Sequence, residues 1–238
     1  MKERLDGTET MINTSVYSEA DITRFREEID AKTWGENFAD ALETRLLLSP
    51  ELTSELDRCL SGSNLVDLGC GQSALIKLHG AGLGAESPRM KDFPPILKIA
   101  LRCGAKSYTG VDFSPNVQSM IPIIQQQTAA SDFYDSLGTR IEFVFDEMLH
   151  FVHSLPDSSR SYCVNGIDPY LIVGKDKQLY DTNWYKALLN ELSRTTSRNG
   201  LLFGFGSSVL TEGALASVGF TPFAGFNDSY ELFAFVKR

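Results

Sequence analysis

"NLVDLGCGQS", residues Asn64 to Ser73, decides how this chain folds. Four of its first five residues suit a short buried strand. They run straight into a glycine pair, Gly69 and Gly71, with an acid, Asp67, two positions ahead of the first glycine. A glycine pair at a strand-to-helix turn lets main chain approach a ligand with no Cβ in the way.

Outward from this stretch the pattern alternates strand with helix, the signature of a parallel sheet covered on both faces. After Leu65–Leu68 come a short helix near 74–78 and a loop rich in Gly and Pro, "HGAGLGAESPRMKDFPP" (79–95). A helix over Ile96–Arg102 ends at Gly104. "SYTGVDFSP" gives a second strand and turn, and a helix over Asn116–Gln127 leads to a third strand, "RIEFVF". "SYCVNGI" reads as a fourth strand, Asp181–Arg194 as a helix ending before an Asn199-Gly200 turn, and "LLFGFG" as a fifth strand. A short helix over Thr211–Val218 precedes two closing strands, "GFTPFAGF" and "YELFAFVKR". Their short Asn227-Asp228 link makes them antiparallel neighbours, since a parallel pair needs a crossover.

Ahead of the sheet, residues 1–62 read as a helical segment and 63–238 as the α/β domain. Ile22, Phe25 and Ile29 share a helical face behind a Ser18/Asp21 cap, and Phe38, Leu42 and Leu46 form a second stripe. Ser49-Pro50 opens a third helix with Leu52, Leu56 and Leu60, stopping at Gly62. These stripes are read as core packing.

The 238 residues carry 22 basic and 31 acidic side chains, a net charge of −9, with no run of lysines and arginines. Phosphate neutralisation supplies most non-specific nucleic-acid affinity, so nucleic acid is not the expected partner. Cys59, Cys70, Cys103 and Cys163 are too scattered for a disulfide framework or a zinc knuckle, and no metal site is expected. The N-terminal stretch lacks an apolar signal core, and there is no run of about 18 apolar residues to span a bilayer. A soluble, cytoplasmic protein is expected; the oligomeric state is left open.

Gly69-x-Gly71-x-x-Ala74 fits the relaxed dinucleotide fingerprint, so an NAD(P)-dependent oxidoreductase is one reading. Asp67 weighs against it, because a pyrophosphate beside a carboxylate is repelled. A ligand with positive charge, such as the amino group and sulfonium of S-adenosylmethionine, suits Asp67 better. Strand two ends in Asp112, able to accept both ribose hydroxyls, and strand three in Asp146, placed to accept from an adenine amino group. Acids at the carboxyl ends of three successive strands line the edge where open α/β sheets hold ligands.

On "VDLGCGQS", "YTGVDFSP", "FDEMLHF", "YCVNGIDPY" and "RNGLLFGFGS", the chain from about Asn64 to the C-terminus resembles the class I S-adenosylmethionine-dependent methyltransferases. That resemblance implies a Rossmann-like seven-stranded sheet with helices on both faces and an antiparallel C-terminal hairpin. It implies S-adenosyl-L-methionine held by Asp67, Gly69, Gly71, Asp112, Phe113, Asp146, Glu147, Met148 and Asn165. The helices of residues 1–62 become, by analogy, a cap that shapes the substrate pocket. The stretch from Gly71 to Asp112 is longer than in compact members, and 79–95 accounts for the excess, as a lid or a tolerated surface insertion.

In-line transfer of methyl from a sulfonium needs positioning more than a catalytic dyad, and no catalytic residue is assigned. In the loop after strand four, where the resemblance implies that the acceptor binds, Asn165, Asp168 and Tyr170 are the polar candidates. Asp168-Pro169-Tyr170 is only partly like the (D/N)-P-P-(Y/F) motif of amino-group methyltransferases, so a small-molecule acceptor is expected. His150 and His153, three apart, read as one surface and one partly buried histidine rather than metal ligands. His150 is also a minor option for a substrate-side base. Cys70 reads as apolar filler, Trp184, Phe203 and Phe205 as core, Trp34 as core or pocket lining, and Tyr17 as an aromatic that reaches over the cofactor. A non-catalytic module that binds the same cofactor is the third reading.

Overall fold

The computed structural model describes residues 50–71, 93–112, 115–129, 137–164, 182–205, 210–223 and 232–238. The expected stripes at 22–29 and 38–46, Tyr17, Trp34, the 74–78 helix, nearly all of the 79–95 loop, Phe113, Asn165, Asp168, Tyr170 and the 227–228 turn lie outside them.

In chain order the described elements are α1 (Pro50–Leu60), β1 (Asn64–Leu68), α2 (Pro95–Arg102), β2 (Ser107–Asp112), α3 (Pro115–Ala129), β3 (Arg140–Phe145) and α4 (Met148–Ser154). They continue with β4 (Ser161–Val164), α5 (Thr182–Thr195), β5 (Leu201–Phe205), α6 (Glu212–Ser217), β6 (Phe220–Pro222) and β7 (Leu232–Lys237). The strands form one seven-stranded sheet in the order β3-β2-β1-β4-β5-β7-β6. The first five are parallel to their neighbours, while β7 runs antiparallel to both β5 and β6. Strand order reverses between β1 and β4, which puts the carboxyl end of β1 at the point where such sheets open a ligand crevice. This is the Rossmann-like architecture with the closing antiparallel pair expected from the sequence.

Strand alternation divides the apolar residues between two layers. Leu65, Tyr108, Phe143, Cys163 and Phe203 face one core, completed by Leu56 and Leu60 of α1, Ile96 and Leu97 of α2, and Val117 and Ile121 of α3. Val66, Leu68, Val111, Tyr162 and Leu202 face the other, closed by Leu149 and Val152 of α4, Leu188 and Leu192 of α5, and Leu215 of α6. Each fully buried Leu or Phe contributes roughly 1.5–3 kcal/mol by leaving water. Helix α1 thus belongs to the sheet's own core.

Two cations fasten the second layer. The Arg194 guanidinium, at the end of α5, donates to the carbonyls of His153 (3.1 Å) and Leu155 (2.9 Å) and pairs with Asp157 and Glu191. It therefore satisfies carbonyls that the C-terminus of α4 leaves open. Lys237 of β7 donates to Ser193 Oγ and to the Val218 carbonyl, and its ammonium lies 5.1 Å from the centre of the Phe220 ring. The Asn199-Gly200 turn read in the sequence is present, Asn199 taking a left-handed φ of 62°, while Thr211, read as the first helical residue, instead caps α6 by accepting from Ala214 N–H. Pro222 sits on the edge strand β6, where a missing N–H costs no sheet bond.

Close approach of β4 to β5 fixes one glycine. A Cβ on Gly204 would stand 2.1 Å from the Val164 carbonyl oxygen, a backbone atom that cannot move aside alone. Gly204→Ala is expected to destabilise the fold by at least about 1–3 kcal/mol, the usual cost of overpacking. Urea unfolding monitored by circular dichroism measures this.

Candidate functional site

The site is built where the sheet's central strands end. After β1 the chain turns through Gly69 and Gly71, whose φ values of 75° and 74° belong to the left-handed region that side chains other than glycine rarely enter. The turn is stitched to the neighbouring strand: Gly69 and Cys70 N–H both donate to the Val111 carbonyl, at 2.9 and 3.2 Å. Gly71 N–H donates to Asp112 Oδ2 at 2.9 Å. One strand further out, Asp146 N–H donates to the Asp112 carbonyl at 3.2 Å. The glycine turn, Asp112 and Asp146 therefore share one rim, linked by main-chain hydrogen bonds.

Asp67 lies just below that rim. It is 2 % exposed, and its Oδ2 accepts from the Tyr108 hydroxyl at 2.9 Å. Burying a carboxylate is costly unless hydrogen bonds match it, and the phenol is one such partner. Tyr108 is itself fully buried. Burial, and then the charge of Asp67, hold its hydroxyl pKa well above the ordinary value, so it remains a donor. The Cys70 thiol is pushed well up by burial first and by Asp112 and Asp67 next. A thiol so raised is a poor nucleophile, in line with its reading as filler.

Asp146, between β3 and α4, is engaged by residues that follow it. Its Oδ1 accepts from Glu147 N–H at 2.8 Å, and His150 Nδ1 lies 2.8 and 3.0 Å from its two oxygens. Glu147 serves as N-cap of α4, Oε2 accepting from His150 N–H at 3.0 Å, and burial raises its pKa. Met148 is buried in the second core rather than open at the rim. Paired with Asp112 in the sheet register is Phe145, an exposed aromatic on the edge strand.

Of the residues singled out in the sequence, Asp67, Gly69, Gly71, Asp112, Asp146 and Glu147 gather at this end of the sheet, and Met148 follows beneath. Phe113 and Asn165 lie outside the described residues. His150 is exposed and His153 partly so, with His153 Nδ1 3.3 Å from a Glu191 oxygen. Among the described residues no three His, Cys, Asp or Glu side chains gather as a metal site. Trp184 and Phe203 are core, as expected. Sequence reading missed Tyr108 as the partner of Asp67. The signal was available: period-two alternation puts Tyr108, Gly110 and Asp112 on one face of β2.

No protein-family model matches the chain, and no curated protein matches it in sequence. Among solved structures it is similar to the N-methyltransferase NodS from Bradyrhizobium japonicum WM9, at 15% identity and a TM-score of 0.45, over 79% of this chain and 95% of that one. It is similar to a ribosomal protein L11 methylase from Lactobacillus delbrueckii subsp. bulgaricus, at 15% identity and 0.44, over 80% and 78%. A geranyl diphosphate methyltransferase in complex with GPP and sinefungin gives 14% and 0.42, over 78% and 76%. At these values the likeness assigns neither activity nor substrate.

The raised pKa of Glu147 has a sign that can be tested. A carboxyl favoured in its neutral form by the fold stabilises below its unfolded pKa and loses that contribution as pH rises through the folded one. Glu147→Gln keeps an oxygen to cap α4 and removes the buried charge. Its melting temperature should equal or exceed that of the parent at pH 8, the difference vanishing near pH 4, as read by thermal melts across that range.

Proposed function

We propose that the protein is an S-adenosyl-L-methionine-dependent methyltransferase acting on a small-molecule acceptor. One observation carries this reading. Three carboxylates, Asp67, Asp112 and Asp146, stand at the ends of three adjacent strands beside a turn whose main chain is bare at Gly69 and Gly71.

The residues present fit such a cofactor. Asp112 is anchored by Gly71 N–H through one oxygen, and a carboxylate can accept further hydrogen bonds, here from ribose hydroxyls. Asp146 would accept from the adenine amino group. Asp67, buried beneath the turn, supplies negative charge toward the methionine moiety, where low dielectric strengthens its pull on a cation. When bound, the cofactor supplies a methyl group on a sulfonium that leaves as a neutral thioether. What this chain contributes is orientation and exclusion of water, with the acceptor brought in line from the side opposite the sulfur. An acceptor that reacts through an uncharged lone pair needs no base before attack.

The acceptor is assigned to a small molecule on charge: an acidic chain with no basic run offers little to a nucleic-acid backbone. No helix among the described residues is long and apolar enough to cross a membrane. Of the substrate cap read over residues 1–62, α1 packs into the sheet's core, so its part facing the acceptor would come from the residues ahead of Pro50.

S-Adenosylmethionine should raise the melting temperature while NADH does not; a ligand at about 100 times its dissociation constant stabilises by roughly 2.7 kcal/mol. Stabilisation by NADH alone would overturn the assignment. Asp112→Ala should weaken S-adenosylmethionine by about 1.5–3 kcal/mol in titration calorimetry, the worth of hydrogen bonds to a charged group.

A further inference from the structure

The sheet register places Asp67 in an apolar row. Phe143, Gly110, Asp67, Cys163 and Phe203 are successive partners across β3, β2, β1, β4 and β5. Asp67 is the one charged side chain in that row, and the row belongs to the first core. Its direct partner on β2, Gly110, has no side chain. A Cβ there would meet the Phe143 ring at 2.7 Å and Cys70 Sγ at 3.2 Å. Tyr108, two residues earlier on the same face, reaches the carboxylate from the neighbouring row at 2.9 Å. Its ring is held edge-on to Phe143, centroids 5.8 Å apart at 68°. The phenol is thus fixed by packing and spent on one acceptor.

We propose that Tyr108 is a positioning residue of the cofactor site, its hydroxyl keeping the Asp67 carboxylate ionised and oriented beneath the glycine turn for a cationic ligand. The inference rests on the S-adenosylmethionine reading above. A carboxyl in apolar surroundings tends to take up a proton, and a donor to its charged form opposes this. Among the described residues, the titratable groups about Asp67 include Cys70 in the turn, which also feels Asp112 at the end of β2, and Cys163 on β4. Cys70 and Tyr108 are both held well above their ordinary pKa, so near neutral pH neither gains charge to compete with the carboxylates.

The test uses the full chain with S-adenosylmethionine and its uncharged thioether product, S-adenosylhomocysteine, as probes. Their affinities are measured from pH 5.5 to 8.5 for the parent, Tyr108→Phe, Asp67→Asn and the double variant. A hydrogen bond to a charged group corresponds to about a tenfold change or more. Tyr108→Phe should therefore weaken S-adenosylmethionine about tenfold at neutral pH and the thioether by much less. The acid-side loss of S-adenosylmethionine affinity should move to higher pH, and the double variant should bind no worse than Asp67→Asn. Equal losses for both ligands with an unmoved pH profile, or no loss at all, would overturn the role of Tyr108.

If the parent binds no S-adenosylmethionine, the cofactor reading fails instead; if Asp67→Asn weakens both ligands alike, the charge role of Asp67, and with it this proposal, is overturned. Should Tyr108→Phe not fold, a fluorinated tyrosine at position 108 keeps the shape and strengthens the donor. The acid-side loss should then move to lower pH, and an unmoved profile would overturn the proposal.

Discussion

Three successive amide hydrogens, those of Gly69, Cys70 and Gly71, are taken up by the last two residues of β2, and this stitch sets where the polar groups of the rim stand. A turn leaving a buried strand has partly buried amides, and each gains from an acceptor in the protein. Here the acceptors are the Val111 carbonyl and the Asp112 carboxylate. The same bonds that satisfy the turn therefore orient the acid proposed to hold the ribose. Residues other than glycine rarely adopt the φ values that bring the amides round, so backbone conformation and side-chain placement are settled together.

The turn keeps its place because the sheet beneath it is clamped from both faces. Helices α1, α2 and α3 cover one face, and α4, α5 and α6 the other. Helix α4 is short, and a helix of two turns gains little stability from its own hydrogen bonds. Glu147 closes its beginning and Arg194 its end. The residues that follow β3 are thus held by contacts reaching back from α5, more than thirty positions later in the chain. Lys237 does the corresponding work for the closing hairpin, tying β7 to Ser193 of α5 and to the end of α6.

Charge at this end of the sheet is graded by burial. Asp67 lies in the core with a phenol for company, while Asp112, shared with the turn, and Asp146, beside the exposed imidazole of His150, are half-buried. Electrostatic attraction strengthens as the local dielectric falls, so the three acids are unequal in what they offer a ligand. The deepest is best suited to a full positive charge, and the outer two to neutral hydroxyl and amino donors. That gradient follows from the position of each acid along its strand relative to the covering helices.

The amino-acid order alone determined the alternation of strand and helix, the closing antiparallel pair, the glycine turn and the three acids at strand ends. Each is a local pattern: the apolar stretch that runs into Gly69 and Gly71, Pro at the opening of α1, Asn199 before Gly200. Which strands become neighbours was not local. The reversal between β1 and β4, the row that sets Asp67 opposite Gly110, and the reach of Tyr108 to Asp67 all depend on register between segments some forty residues apart or more. Only the tertiary structure could decide them, because a side chain's neighbours across a sheet are chosen by pairing and packing, and sequence distance carries no record of either.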